Sequence, residues 1–268
     1  MPDLSAVADG KHLGKLRTTY RPYQRPPWSE RPASAKAGTL IGGGISAAAV
    51  LLITVAITTA APVAGVILIV ILVCVALLGI SRRRGVQERM QGRELHFYEN
   101  GLVNVGVGNK GPAAIRWDEA SVLQDIVRHT RNGALTHTTY LYTLTAPDGT
   151  HTKISGIIGG IGGMERPEEW GRAIQQLVTT AQVPRSTVAL DRGETLSFGD
   201  IRVSRDGIAA KGNSVAWSQL QEIRVKDGYV SLRVAGKWRA LTTTAVASIP
   251  NYFVFLALAE RMRAAGRP

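Results

Sequence analysis

Apolar and polar positions follow two regimes along the chain. From residue 94 onward they alternate in short runs broken by turn residues, the pattern of half-buried β-strands. A first group of runs covers Leu95–Val105, Ala114–Leu123 and Tyr140–Thr145, and a helical pattern follows over Glu168–Val178. A second group covers Ile201–Ile208, Val215–Ile223 and Tyr229–Val234, and closes on a helical pattern over Asn251–Met262. Before them, from Leu40 to Ile80, the chain is apolar at almost every position.

The two β groups read as an internal repeat. Asn100-Gly101-Leu102 matches Asp206-Gly207-Ile208, and Trp117 matches Trp217. Asn-Gly and Asp-Gly suit tight hairpin turns, where positive φ costs little. Equivalent positions in both copies predict that Gly101, Trp117, Gly207 and Trp217 are structural anchors. The expected units are 94–182 and 188–266, joined through Val183-Pro-Arg-Ser-Thr187.

The apolar block changes the picture of the whole chain. No charged residue stands between Lys36 and Arg82. One spanning helix needs about 20 residues, so the block has room for two. Pro62 disfavours helix at the preceding residue. The expectation is a transmembrane hairpin over 37–81, with helices at about 39–59 and 63–81. The block starts about forty residues in and is too long to be a cleaved signal.

Charge supports that orientation. Arg17, Arg21, Arg25, Arg31 and Lys36 precede the block, and Arg82, Arg83, Arg84, Arg89 and Arg93 follow it. The positive-inside rule then places both termini in the cytoplasm, as a multi-pass protein of the plasma membrane. Of the formal net charge of +12, residues 1–36 and 82–93 carry +4 each. The remainder is close to balanced, which argues against nucleic acid as a partner. The basic residues Arg82, Arg83, Arg84, Arg89 and Arg93 of the linker 82–93 are placed at a membrane surface bearing anionic headgroups. Residues 1–36, with five prolines and several arginines, read as a basic Pro-rich cytoplasmic tail. The single cysteine, Cys74, excludes an intramolecular disulfide and a cysteine-based metal cluster.

A resemblance follows from these residues. Strands, a Trp after the early strands and one closing helix, twice over, resemble bacterial pleckstrin-homology (PH)-like domains. The stretches Leu13–Arg21, Phe97–Leu102, Arg116–Glu119, Ser204–Ile208 and Ile249–Leu256 resemble a two-helix membrane protein family of unknown function from high-GC Gram-positive bacteria. The resemblance implies an α+β class: a transmembrane helical hairpin followed by two tandem PH-like domains, each a β-sheet or barrel with a C-terminal helix. It implies no activity.

Candidate chemistry is sparse. Gly106-Val-Gly-Asn-Lys-Gly111 fits G-x-G-x-x-G, but strand-like residues follow where a dinucleotide site needs a helix. Gly156–Gly163 lacks the Lys-Ser/Thr of a phosphate-binding loop. His129, His137 and His151 fall around strands of the first copy and could approach one another, but none of the five histidines has zinc-site spacing. No catalytic residue, cofactor or metal is assigned. The expected function is non-enzymatic: a tandem module for binding or scaffolding at the inner face of the membrane, with protein partners or self-association. The alternative is an enzyme subunit or assembly factor of cell-envelope metabolism, with its site between the repeats.

Overall fold

A computed structural model describes residues 4–24, 29, 70, 71, 74, 92–106 and 111–266. Residues 1–23 and 92–268 form one compact unit, and 24–91 a second. Within the first unit the chain repeats one plan twice: a four-stranded antiparallel meander, a three-stranded meander and a closing helix.

The first half opens with helix α1 (Leu4–Gly10) and strand β1 (Leu16–Tyr20). Strands β2 (Glu94–Tyr98), β3 (Gly101–Val105) and β4 (Ala113–Arg116) complete its first sheet in the order β1-β2-β3-β4. Strands β5 (Ser121–Arg131), β6 (Ala134–Thr145) and β7 (His151–Ile158) form the second sheet, and α2 (Pro167–Asp191) closes the half. The second half has β8 (Leu196–Phe198), β9 (Ile201–Val203), β10 (Gly207–Ala210) and β11 (Asn213–Ala216). Then come β12 (Leu220–Lys226), β13 (Tyr229–Val234), β14 (Thr242–Ala245) and helix α3 (Tyr252–Ala265).

This architecture corrects the expected class. The described residues form four small antiparallel sheets with helices α1, α2 and α3, not a transmembrane hairpin followed by PH-like domains. No helix among them is long and apolar enough to cross a membrane. The longest, α2, carries Glu168, Glu169, Arg172 and Arg185 along its length, charges that oppose burial in hydrocarbon. The expected two-helix plasma-membrane location, with both termini cytoplasmic, loses its support with the class. The stretch 37–81 itself lies outside the described residues, except for Val70, Ile71 and Cys74.

Residues 4–24, read as a tail, contribute α1 and β1. Strand β1 pairs antiparallel with β2, setting Tyr20 opposite Leu95. The chain then bridges the two sheets of its half. Tyr23 N–H donates to the Gly163 carbonyl at 2.9 Å, and Met164 N–H donates to Ser155 at 2.6 Å, next to β7. Gly156 and Gly163 permit this approach. A Cβ on Gly156 would stand 2.6 Å from Pro167 Cβ and 3.1 Å from the Trp170 ring.

Helix α1 lies on the outer face of the first sheet, where Ala8, Leu13, Tyr98, Val103 and Ala114 make a small separate core. As a result β2 and β3 are buried on both faces. In the second half, β9 and β10 keep the alternation of a sheet covered on one face. The main core runs continuously through both halves, from Phe97, Trp117 and Trp170 to Phe198, Trp217 and Phe255. Helix α2 is unbroken across 183–187, the expected joint, with Pro184 inside it.

The turns also differ from expectation by one residue. The β2–β3 connection uses Glu99-Asn100, and Gly101 is already the first residue of β3, opposite Arg116. Gly207 likewise begins β10, opposite Ala216. Neither glycine has positive φ. Their requirement is space: a Cβ at Gly101 would strike the Ile115 carbonyl oxygen, and one at Gly207 the Val215 carbonyl oxygen. The positive-φ pairs at two-residue hairpins are Asn132-Gly133 between β5 and β6, Lys211-Gly212 between β10 and β11, and Asp227-Gly228 between β12 and β13. Two successive positive-φ residues define a type I′ hairpin. Gly101→Ala and Gly207→Ala are each expected to cost about 1–3 kcal/mol through overpacking. Urea midpoints should fall with an unchanged m-value.

Arg116 fastens the end of α1. Its Nε and an Nη atom donate to Asp118 at 2.9 and 3.1 Å, and its other Nη donates to the carbonyls of Lys11 and His12 at 3.2 Å. Lys11 Nζ pairs with Asp148 at 2.7 Å. Partial burial, the largest single influence, raises the Asp118 pKa, but the Arg116 hydrogen bonds and charge, a backbone hydrogen bond and the Arg185 charge together leave the group lowered. The Lys11 hydrogen bond, with those from Thr150, lowers Asp148 as well. Both carboxylates therefore stabilise the fold above their unfolded pKa of about 3.9 and lose that contribution as pH falls through the lower folded values. Acidification below about pH 4 should release α1 before the main core. Hydrogen exchange, corrected for intrinsic rates, should show early loss of protection at the Leu13 and Asn100 amides. Simultaneous loss at β6 and α2 would contradict this order.

Candidate functional site

The site is a groove between the edge of β5 and helix α2, closed at one end by the start of α3. Strand β5 pairs with β6 along its whole length and carries no strand on its other edge among the described residues. At the first part of that edge, Asn251 acts as a substitute strand. Its N–H donates to the Val122 carbonyl at 2.8 Å, and its Oδ1 accepts from Val122 N–H at 2.8 Å. Its Nδ2 donates to the Ala120 carbonyl and to Gln182 Oε1, both at 2.9 Å. Gln182, on α2, in turn donates to the carbonyls of Trp117 and Ala120 at 2.8 Å. The second half is thereby locked to the first through one amide side chain.

Local backbone chemistry prepares this contact. Asn251 stands just before α3 at φ 49°, ψ 47°, in the left-handed region. Asparagine visits that region more readily than most residues because its short polar side chain bonds locally. Arg166 holds the same conformation, φ 50°, ψ 54°, before α2. The two closing helices thus begin alike, although their sequences differ.

Residues Val246–Ser248, just before Asn251, also pack against β5. Alternation along a strand turns Gln124 and Ile126 toward the side that Val122 faces. Their N–H and C=O groups have no backbone partner among the described residues. Beside them runs a groove lined by Gln124, Ile174, Val178, Thr179, Phe253 and Val254, enclosing about 20 Å³. Ile174 and Val178 are buried in its wall, while Ile126 and Phe253 are exposed. Its polar floor is one network: Gln175 Nε2 donates to Tyr142 Oη at 2.6 Å and to Gln124 Oε1 at 3.1 Å. Burial pushes the Tyr142 hydroxyl far above its ordinary pKa, opposed by the Gln175 hydrogen bond. The hydroxyl stays protonated and fixes the floor at any physiological pH.

A second concavity of about 470 Å³ lies on the outer face of the β8–β11 sheet, around Arg202, Ser204, Ala209 and Ser214. In the first half, the corresponding face carries α1.

The residues singled out from sequence fall elsewhere. Arg82, Arg83, Arg84 and Arg89 lie outside the described residues. Arg93 stands beside Gly106 at the start of β2, and its Nε is buried without a partner among the described residues. The Trp117 indole donates to the Tyr98 carbonyl at 3.2 Å, and the Trp217 indole to the Ser204 carbonyl at 3.0 Å. Each tryptophan spans back to the hairpin of its own half. His129 and His137 pair across β5 and β6 and stack at 4.2 Å, while His151 pairs with Thr145 at the other end of the sheet. Among the described residues, no three His, Cys, Asp or Glu side chains cluster as metal ligands. Strand β4, not a helix, follows Gly106–Gly111. Asn251, Gln182, Gln124 and Gln175 were not among the sequence candidates. The signal that could have found Asn251 is its place after Pro250 and immediately before an apolar helical run.

A family model described as a family of unknown function (DUF6585) matches residues 3–268. The chain belongs to the DUF6585 family. That match covers α1 and β1 as well as both halves, so the DUF6585 sequence pattern includes the segment that closes the first sheet. No curated protein and no solved structure matches the chain.

Proposed function

We propose that this DUF6585 chain is a non-enzymatic binding module that takes up an extended segment of a protein partner as an added strand along β5. The observation that carries this reading is the Val122–Asn251 pairing, which already uses the same edge for two strand-like hydrogen bonds. Gln124 and Ile126 continue that strand with backbone groups that have no backbone partner among the described residues, and a groove lined by Gln124, Ile174 and Val178 lies beside them. Added strands draw affinity from main-chain hydrogen bonds and specificity from such pockets. An exposed edge of this kind otherwise invites self-association, so an occupant also protects the fold.

The test uses the full chain and an array of random 12-residue peptides. Peptides that bind should slow hydrogen exchange at the Gln124 and Ile126 amides. Ile126→Pro removes one edge donor without breaking the β6 ladder, a place where strands tolerate proline, and should weaken binding. Peptides that bind while leaving both amides in fast exchange, and that ignore Ile126→Pro, would overturn the proposal.

A further inference from the structure

We infer that the outer face of the β8–β11 sheet is a second docking site, which seats an acidic segment of a protein partner. It shares no residue with the β5 groove. The repeat gives the reason for a polypeptide occupant. In the first half the same face is covered by a short piece of chain, α1, lying over Tyr98, Val103 and Ala114. Matched from the hairpins and tryptophans, those positions become Ser204, Ala209 and Ser214. The register agrees: Val103 stands opposite Ala114, and Ala209 opposite Ser214. Arg116, which holds the end of α1, becomes Ala216. The trimmed side chains leave the concavity of about 470 Å³, where Arg202, Ser214, Ala216 and Gln219 are exposed. That lies within the roughly 300–1,000 Å³ of ligand pockets. Its hydroxyls and amide suit a polar segment, not an apolar helix face.

The neighbouring loop sets the sign of the partner's charge. Thr152 stands opposite Leu144 and Thr242 opposite Leu232, so the β6–β7 and β13–β14 loops correspond. The first loop contributes Asp148, which pairs with Lys11 at the end of α1. The second carries Lys237, Trp238 and Arg239 instead. Its Ala235 N–H donates to the Gln219 carbonyl at 2.9 Å, which ties the loop to the rim of the concavity. Lys237 and Arg239 are exposed and have no carboxylate partner among the described residues. In the lining itself Arg202 and Asp206 offset one another, so the loop decides the balance. A segment seated as α1 is would bring a carboxylate, in the place of Lys11, to two cations. Charges matched in this way select partners. Trp238 adds an aromatic anchor. It is 81 % exposed, whereas Trp117, Trp170 and Trp217 are at most 4 % exposed. The Arg239 guanidinium lies 4.4 Å from its ring centroid. Trp and Arg are enriched among the residues that dominate interface energies.

The experiment passes the full chain over an array of random 12-residue peptides and titrates those retained. Peptides bearing two or more Asp or Glu should be among them. Lys237→Glu/Arg239→Glu should weaken their binding about tenfold or more and favour lysine-bearing peptides instead. Ser214→Tyr, which fills the concavity from an exposed position, should weaken the same peptides by about the same factor. The chain carries a net charge of +12, so the control reverses two exposed cations of the first half. Arg131→Glu/Lys153→Glu should leave binding within about twofold. Ile126→Pro should also leave it unchanged, which separates this site from the β5 edge. Unchanged urea midpoints check that each variant keeps its fold. Acidic peptides that ignore Ser214→Tyr, or that respond to Arg131→Glu/Lys153→Glu as strongly as to the loop reversal, would reveal general attraction to a basic protein and overturn the inference. Retention of no acidic peptide, or loop-dependent binding of phosphatidylserine vesicles in their place, would overturn it as well.

Discussion

Trp117→Ala and Trp217→Ala are each expected to cost about 3–5 kcal/mol, the range for emptying a buried aromatic site. Trp117 is 2 % exposed and Trp217 4 %. The Trp117 ring packs against Phe97 at 5.4 Å, and its indole holds the Tyr98 carbonyl. Total stability of a domain is about 5–15 kcal/mol, so either change removes a large part of it. Trp117→Phe separates packing from hydrogen bonding. It retains most of the ring and orphans the Tyr98 carbonyl, for an expected loss of about 1–3 kcal/mol. Because one core passes through both halves, Trp217→Ala should lower the stability of the first half too. Urea unfolding followed by near-ultraviolet and far-ultraviolet dichroism should give coincident transitions. A shifted second half beside an unmoved first half would show that the shared core does not couple them.

Asn251→Ala is the second large effect, at about 4–5 kcal/mol. The substitution deletes three side-chain hydrogen bonds, to Val122 N–H, the Ala120 carbonyl and Gln182. Each is worth about 1 kcal/mol net, and more where a partner is left buried and unpaired. Alanine at φ 49° adds left-handed strain of about 1–2 kcal/mol. Asn251→Gly removes the same bonds without that strain, so it should be the milder of the two. Gln182→Ala should be strongly non-additive with Asn251→Ala, since the two side chains touch at 2.9 Å. Additive losses in a double-mutant cycle would mean that the two amides act independently and do not form one joint.

The strands were legible where a single face decides the pattern. Ile201–Val203 and Tyr229–Val234 alternate cleanly and lie in β9 and β13. The helical stretch from Glu168 lies within α2. Gly101 and Gly207 stand out in the sequence, but the reason for glycine there is a carbonyl of the adjacent strand, which no local rule reveals. Strand β1 was hidden because its partner, β2, follows only after a long intervening stretch. The prolines around it, Pro22 among them, read as punctuation of a loose tail; Pro22 in fact sits in a bridge opposite Met164. The groove was hidden for a related reason. Gln124, Gln175 and Asn251 come from three separate elements, and tertiary packing alone brings them to one place. The hydrophobicity of 37–81 suggested a membrane class that the described fold does not support.

The antiparallel pairing of β1 with β2 sets where the first sheet closes. Tyr20 and Leu95 stand opposite one another, so the chain leaves the first sheet and returns to it through one doorway. Strands in register lie about 5 Å apart, whatever length separates them in sequence. Closing a loop costs only about 0.6 kcal/mol more for each doubling of its length. Closure of the first sheet therefore depends on this single contact and only weakly on how many residues of sequence separate its two strands.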